Sequence, residues 1–192
     1  MQNIDLWIDA ESKSMDGDIT RLSFPGHSYL GQFVSFLYTH MFGKSLSGIV
    51  DTNSAIGTIT PSVSSFLSNG DIGNGTLGIV VGISSSGIAI GQSALQIPIG
   101  EGTSINQCHY LANAFSPPVI VGNSSRFTIT RIMLNDSGSL ITLGETAIYA
   151  QGQIIGTADP HTFCLARDLI PGGLPVPNLG AATIRYTIGV TA

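Results

Sequence analysis

The chain has 192 residues, of which seven are Lys or Arg and twelve are Asp or Glu, giving a formal net charge of −5. That length suits one domain, or one domain with a short appended arm, and the scattered basic residues could not neutralise a run of phosphates, which excludes nucleic acid as a direct partner. Only 10% of the residues are charged, against about 25% in an ordinary soluble domain, so lipid or protein is expected to cover part of the surface.

Five of the twelve acids, Asp5, Asp9, Glu11, Asp16 and Asp18, fall within the first eighteen residues. Residues 1–26 therefore read as a solvated acidic arm, and residues 27–192 as a single helix-plus-β domain. The opening MQNIDLWIDAESK lacks the basic segment and apolar run of a secretory signal. The Asn-x-Ser/Thr triplets at Asn74, Asn123 and Asn135 are accordingly expected to carry no glycan.

One segment has a helical period. Leu30, Phe33, Val34, Leu37, Tyr38 and Met41 recur at helical spacing and form one apolar stripe. The spacing predicts an amphipathic helix over about 28–42, with Ser28 as N-cap and Gly43 as the stop. Its stripe is expected to lie on a sheet face.

After residue 50 short apolar runs alternate with turn residues. Candidate strands are 77–83, 86–91, 93–99, 118–122, 126–134, 139–144, 146–151, 162–169 and 182–190. The last alternates cleanly, with Ile184, Tyr186, Ile188 and Val190 on one face. In FTITRIML the alternation shifts between Ile129 and Ile132, which predicts a bulge near Thr130-Arg131. Asn135-Asp136-Ser137-Gly138 reads as a hairpin turn, and Asn69 to Gly75 as a pair of tight turns. Short strands behind one helix predict an all-β fold, a β-sandwich of jelly-roll type, and disfavour a doubly wound sheet.

Residues 72–100 carry no charge, yet Ser84-Ser85-Ser86-Gly87 and Pro98 break the run, so no transmembrane helix is predicted. The strands are too short and too poor in aromatics for a membrane barrel. Protein is left as the expected cover.

No constellation meets the demands of catalysis or cofactor binding. Gly73-Asn74-Gly75-Thr76-Leu77-Gly78 matches G-x-G-x-x-G, but a β-like run follows it where a dinucleotide site needs a helix. Gly26-His27-Ser28-Tyr29-Leu30-Gly31 has its second Gly one residue too late for a nucleophile elbow. His27, His40, His109 and His161 are scattered, and Asp159-Pro160-His161 offers two metal ligands at most. Cys108 and Cys164 stand far apart, without C-x-x-C or a His at ligand spacing, and read as buried thiols made in a reducing cytoplasm. Catalytic, cofactor-binding and metal residues are all expected to be absent.

Four segments carry a resemblance. LGIVVGISSSGIAIGQSALQIPIGEG resembles a glycine-flanked strand-turn-strand of bacteriophage virion structural proteins, and FTITRIMLNDSGSLITLGETAIYAQ is similar to a hairpin found in them. FCLARDLIPGGLPVPNLGAATIRYTIGV resembles their closing strand pair, and SYLGQFVSFLYTHM followed by Asp51-Thr52-Asn53 resembles the segment that precedes those strands. Together these cover most of residues 28–190 in order. Departures at Ala147-Ile148-Tyr149 and at Ile90-Gly91-Gln92-Ser93 leave the subfamily open. The resemblance implies a jelly-roll-like virion component, assembled in the host cytoplasm, with no catalytic residues to carry over.

The composition points the same way on independent grounds. A coat subunit has neighbours to shield its apolar flanks, which a chain with two lysines needs, since natural sheet edges are commonly guarded by Lys. The expectation is a head decoration, cement or minor capsid protein that self-associates, as a trimer, and touches other virion proteins, the major capsid protein first. A tail or head-tail adaptor subunit is the nearest rival. A carbohydrate-binding module would need an exposed aromatic platform, and the sole Trp, Trp7, falls in the expected arm. Sheet edges are expected to be covered by loops, by the arm or by neighbours.

Overall fold

The structure is a computed structural model, and it describes residues 3–26, 28–61 and 67–191. In chain order the elements begin with β1 (Asn3–Lys13), β2 (Ile19–Gly26), α1 (Gly31–Phe42), β3 (Leu46–Val50), β4 (Ile56–Ile59), β5 (Gly78–Gly82) and β6 (Gly100–Glu101). They continue with β7 (Gln107–Tyr110), β8 (Ala114–Phe115), β9 (Val119–Val121), β10 (Ser124–Leu134), β11 (Ile141–Gly152), β12 (His161–Val176) and β13 (Ala181–Thr191). The fold is all-β with one helix.

Eight strands form one sheet in the order β2-β1-β13-β10-β7-β6, with β8 and β9 also paired to β10. A second sheet runs β12-β11-β5, and β3 with β4 makes a separate pair. Side chains alternate across a strand, so Leu6, Ile8 and Ala10 of β1 and Ala182, Ile184 and Tyr186 of β13 point one way. They share a core with Ile79 and Val81 of β5, Ile148 of β11 and Phe163 of β12. The other face of the smaller sheet is buried too, where Val80, Ala147, Tyr149 and Cys164 pack with Leu30 and Leu95. Burial on both faces explains why β5 reads Gly-Ile-Val-Val-Gly with no polar alternation.

Loops cover both edges of the smaller sheet, as expected. Leu30 N donates to Leu165 O and Arg167 N to Ser28 O along β12, while Ile83 N donates to Ile97 O and Ile99 N to Val81 O along β5. Residues 86–91 and 93–99, expected as two strands, are this covering loop apart from a bridge at Pro98. Residues 139–144 and 146–151, expected as two, are the single strand β11, with a register shift between Leu143 and Glu145. The shift exchanges the faces, so that Leu143 and Ile148 both reach the inter-sheet core. A Cβ on Gly144 would come 2.5 Å from the Ser84 carbonyl oxygen, which is why glycine stands at the bend.

Four further expectations are corrected. Residues 3–26 are not a solvated arm: β1 pairs with β13 along its whole length, from Asn3↔Thr191 to Lys13↔Ala181, and β2 pairs on its other side. The acids sit at outward positions and Leu6, Ile8 and Ala10 at inward ones, so charge count concealed an amphipathic strand. There is no bulge in β10, whose register against β13 is unbroken; Arg131 takes the inward place between Ile129 and Met133, and Ile132 points out. Asn135 to Gly138 is not a hairpin turn but a corner between sheets, because β10 pairs with β13 and β11 with β12. Asn135 holds that corner by donating to Ser139 O and Val176 O.

The helix is the fourth. Gly43 ends it in the left-handed conformation, as expected, but the N-cap is Leu30 and not Ser28. Its buried residues are Gln32, Phe36 and Thr39, on the opposite side of the wheel from the apolar stripe. Phe36 stacks edge-on against Phe163 at 5.0 Å, which anchors the helix and leaves Val34, Tyr38 and Met41 of the stripe facing solvent, while Leu30 and Phe33 pack on the core.

Candidate functional site

The charged residues inside the molecule serve the main chain. Arg131 is 1% exposed, and all five of its N–H groups find carbonyls. Nε donates to Leu111 O, Nη1 to Leu77 O and Ile79 O, and Nη2 to Asp71 O and Asn74 O, at 2.7–2.9 Å. Its guanidinium carbon lies 4.7 Å from the centre of the Tyr110 ring. The 73–78 glycine motif thus wraps an internal cation. Gly78 lies at φ +78°, and a Cβ there would run into Asn113.

A second node joins the smaller sheet to its covering loop. Arg167 and Glu145, both fully buried, pair at 2.7 Å. Glu145 also accepts from Gln96 N and Ile97 N, and Arg167 donates to Ser86 O, Gly87 O and Gln92 Oε1. Neither node keeps a donor or acceptor aimed at solvent.

The histidines do not converge. His27 lies outside the described residues, and His40 bonds to the Phe36 carbonyl. His109 meets Glu101 at 2.7 Å. His161 meets Asp51 at 2.6 Å and Thr157 Oγ1 at 3.2 Å, not its sequence neighbour Asp159. That Asp-His-Thr chain has the outline of a nucleophile system, but the Thr157 hydroxyl donates to Ile154 O at 2.7 Å to close a turn, and Asp51 also accepts from Asn53 N and Ala55 N. Among the described residues no three His, Cys, Asp or Glu side chains are grouped to hold a metal. Cys108 and Cys164 are buried free thiols on different sheets. Burial raises Cys108 to about 12 and pushes Cys164 up as well, which suppresses the reactive thiolate.

What the surface offers is apolar. An open cavity of about 660 Å³ lies where α1 meets the ends of the two sheets, lined by Tyr29, Phe33, Leu37, Phe127, Ile148 and Val190 among others. The Tyr29 hydroxyl is buried without a hydrogen-bond partner among the described residues, and burial, with Asp168 and Asp5, raises it to about 12. Beside the cavity, the helix turns Val34 (60% exposed), Tyr38, Met41 (71%) and Phe42 to solvent. The strand β9 leaves Val119, Ile120 and Val121 exposed next to Pro118 on the cavity rim. Contiguous apolar surface of this kind marks an interaction face.

Compared with family models, with curated proteins and with solved structures, the chain finds no match in any of the three. Function must therefore be argued from these surfaces. The sequence had signalled the stripe but not its direction. For Arg131 the sequence does carry a signal: a lone charge interrupting an apolar alternation is itself inward-facing when the register runs on.

Proposed function

We propose that the chain is a non-catalytic structural subunit of a phage particle, a decoration, cement or minor capsid protein that works through contacts with its own copies and with the major capsid protein. The observation that carries this reading is the solvent-facing part of the α1 stripe, Val34, Tyr38 and Met41, beside an open apolar cavity. Exposing Val34, Tyr38 and Met41 gains nothing for an isolated molecule, and burying each against a neighbour contributes roughly 1.5–3 kcal/mol.

The connectivity supports a jelly-roll relation. β10 and β13 pair in one sheet while β11 and β12 pair in the other, so the chain from Ser124 to Thr191 is one long hairpin folded over on itself, the nesting on which double-sheet jelly rolls are built. A non-catalytic role is supported by the use of Arg131, Arg167, Glu145 and Asp51, each spent on holding loops.

Light scattering on the purified chain over a range of concentrations tests the contact surface. Self-association is expected, with a trimer as the end point, and Val34→Glu combined with Met41→Glu should leave a monomer with an unchanged circular dichroism spectrum. Imaging the intact particle should place the chain's density on the head; density in the tail or neck favours an adaptor subunit. A chain that stays monomeric at high concentration and is missing from purified particles sinks the proposal.

A further inference from the structure

The sole Trp of the chain is on a different face. Trp7 stands at an outward position of β1, in register with Pro25 of β2 and Thr187 of β13. It is 45% exposed, so a large part of the indole is open to solvent. Its Nε1–H donates to Ser23 Oγ at 2.8 Å, and Ser23 in turn donates to Asp9 Oδ1 at 2.5 Å. Two linked hydrogen bonds fix the ring before anything binds, so a ligand that stacks on it need not order it.

One step along the same face, and joined to the ring through Ser23, is a depression of about 370 Å³ that Trp7 itself does not line; its side chains include Asp9, Glu11, Arg21, Ser23, Thr183 and Arg185. Arg21 pairs with Glu11 at 2.7 Å through Nε. Arg185 stands opposite Asp9 in the β1–β13 register and donates through Nε to Thr130 Oγ1 at 3.4 Å. Two carboxylates and two guanidiniums cancel in formal charge but leave a dense set of acceptors and donors beside an apolar plate.

That combination selects its occupant. An anionic ligand would meet Asp9 and Glu11, and a cationic one Arg21 and Arg185. A second protein surface would have to strip water from four charges, the groups depleted from interface cores. A neutral pyranose suits all of it: its C–H face is apolar and stacks on an indole, and its vicinal hydroxyls both donate to carboxylates and accept from guanidiniums.

We propose that the outer face of the eight-stranded sheet around Trp7 is a binding site for a neutral oligosaccharide. The site is independent of the apolar end of the molecule, and it stands or falls apart from the assembly role argued above.

With one Trp in the chain, Trp-selective emission reports on this site alone. The full chain is titrated with cellohexaose, maltohexaose and chitohexaose, each to about 10 mM, and the same pairs are followed by calorimetry. A saturable change in Trp emission with at least one of the three is expected. Trp7→Ala should abolish the binding heat, and Arg185→Ala should weaken it at least about tenfold, both with the wild-type melting temperature nearly retained. Asp9→Asn serves as a second variant should Trp7→Ala fail to fold. Silence from all three sugars, or heat that survives in Trp7→Ala, overturns the proposal. So does an emission shift that follows protein concentration and not sugar, because the face would then be covered by another copy.

Discussion

Arg131 shows how one residue can organise a loop. Its five N–H groups reach five carbonyls from three stretches of chain, 71–74, 77–79 and 111, and a planar fork is the only side chain that can do so. Lysine keeps the charge but has three donors and no fork. Arg131→Lys should therefore orphan at least two buried carbonyls and cost about 3 kcal/mol, at about 1–3 kcal/mol for each. Urea unfolding checks this, and a loss below about 1 kcal/mol would contradict it. Glu101 supplies a pH-dependent counterpart. Partial burial raises its carboxyl, but the Tyr110 amide at 2.8 Å and His109 outweigh that and hold it below its ordinary value. A depressed folded-state value means that the contribution is complete above the unfolded carboxylate range, near about pH 4.3, and fades as the pH falls through the lower folded value. Glu101→Gln should thus be less stable than wild type near neutrality, with the gap closing in acid. A gap of constant size from about pH 7 to about pH 3 would refute the assignment.

At the scale of elements, the first two strands and the helix are the instructive cases. β1 lies between β2 and β13 in the larger sheet and contributes Leu6, Ile8 and Ala10 to its core. Removing residues 1–26 should then abolish cooperative folding, where trimming a solvated arm would leave it intact. Circular dichroism and a thermal melt of the shortened chain decide between these, and a sharp melt near the wild-type temperature would restore the arm reading. For α1, Phe36 against Phe163 settles the orientation: with that aromatic seated in the core, only the Leu30 and Phe33 end of the stripe packs inward, and Val34, Tyr38 and Met41 are left outside. The bends in β11 and β12 do comparable work in the sheets. They switch which residues face the inter-sheet core, while alternation with both faces buried lets these strands serve two cores.

For the molecule as a whole, the first and last strands are neighbours inside the larger sheet, whose outermost strands are β2 and β6. The smaller sheet is enclosed by residues 28–30 on one edge and 97–99 on the other, so edge protection here comes from local chain and not from lysine. What stays open is the apolar end beside α1 and the polar face around Trp7. The first suits permanent contacts with other subunits, the second a reversible one with a soluble ligand. The light-scattering and fluorescence experiments address the two separately, since neither Val34 nor Met41 lines the Trp7 depression.

By itself the sequence determined the class of fold and the places of β5 and of β9 to β13, because alternation, turn residues and the Gly43 helix stop are local signals written in consecutive residues. It also marked the chain as poor in charge. Only the tertiary structure decided which way each element faces. The acids of β1 looked like a solvated arm until pairing with β13, nearly the whole chain away, put them on one side of a strand. Arg131 looked like a break in pattern until five distant carbonyls made its burial favourable. Both depend on partners remote in sequence, and the direction of a side chain is fixed by what lies across from it, which no local pattern records.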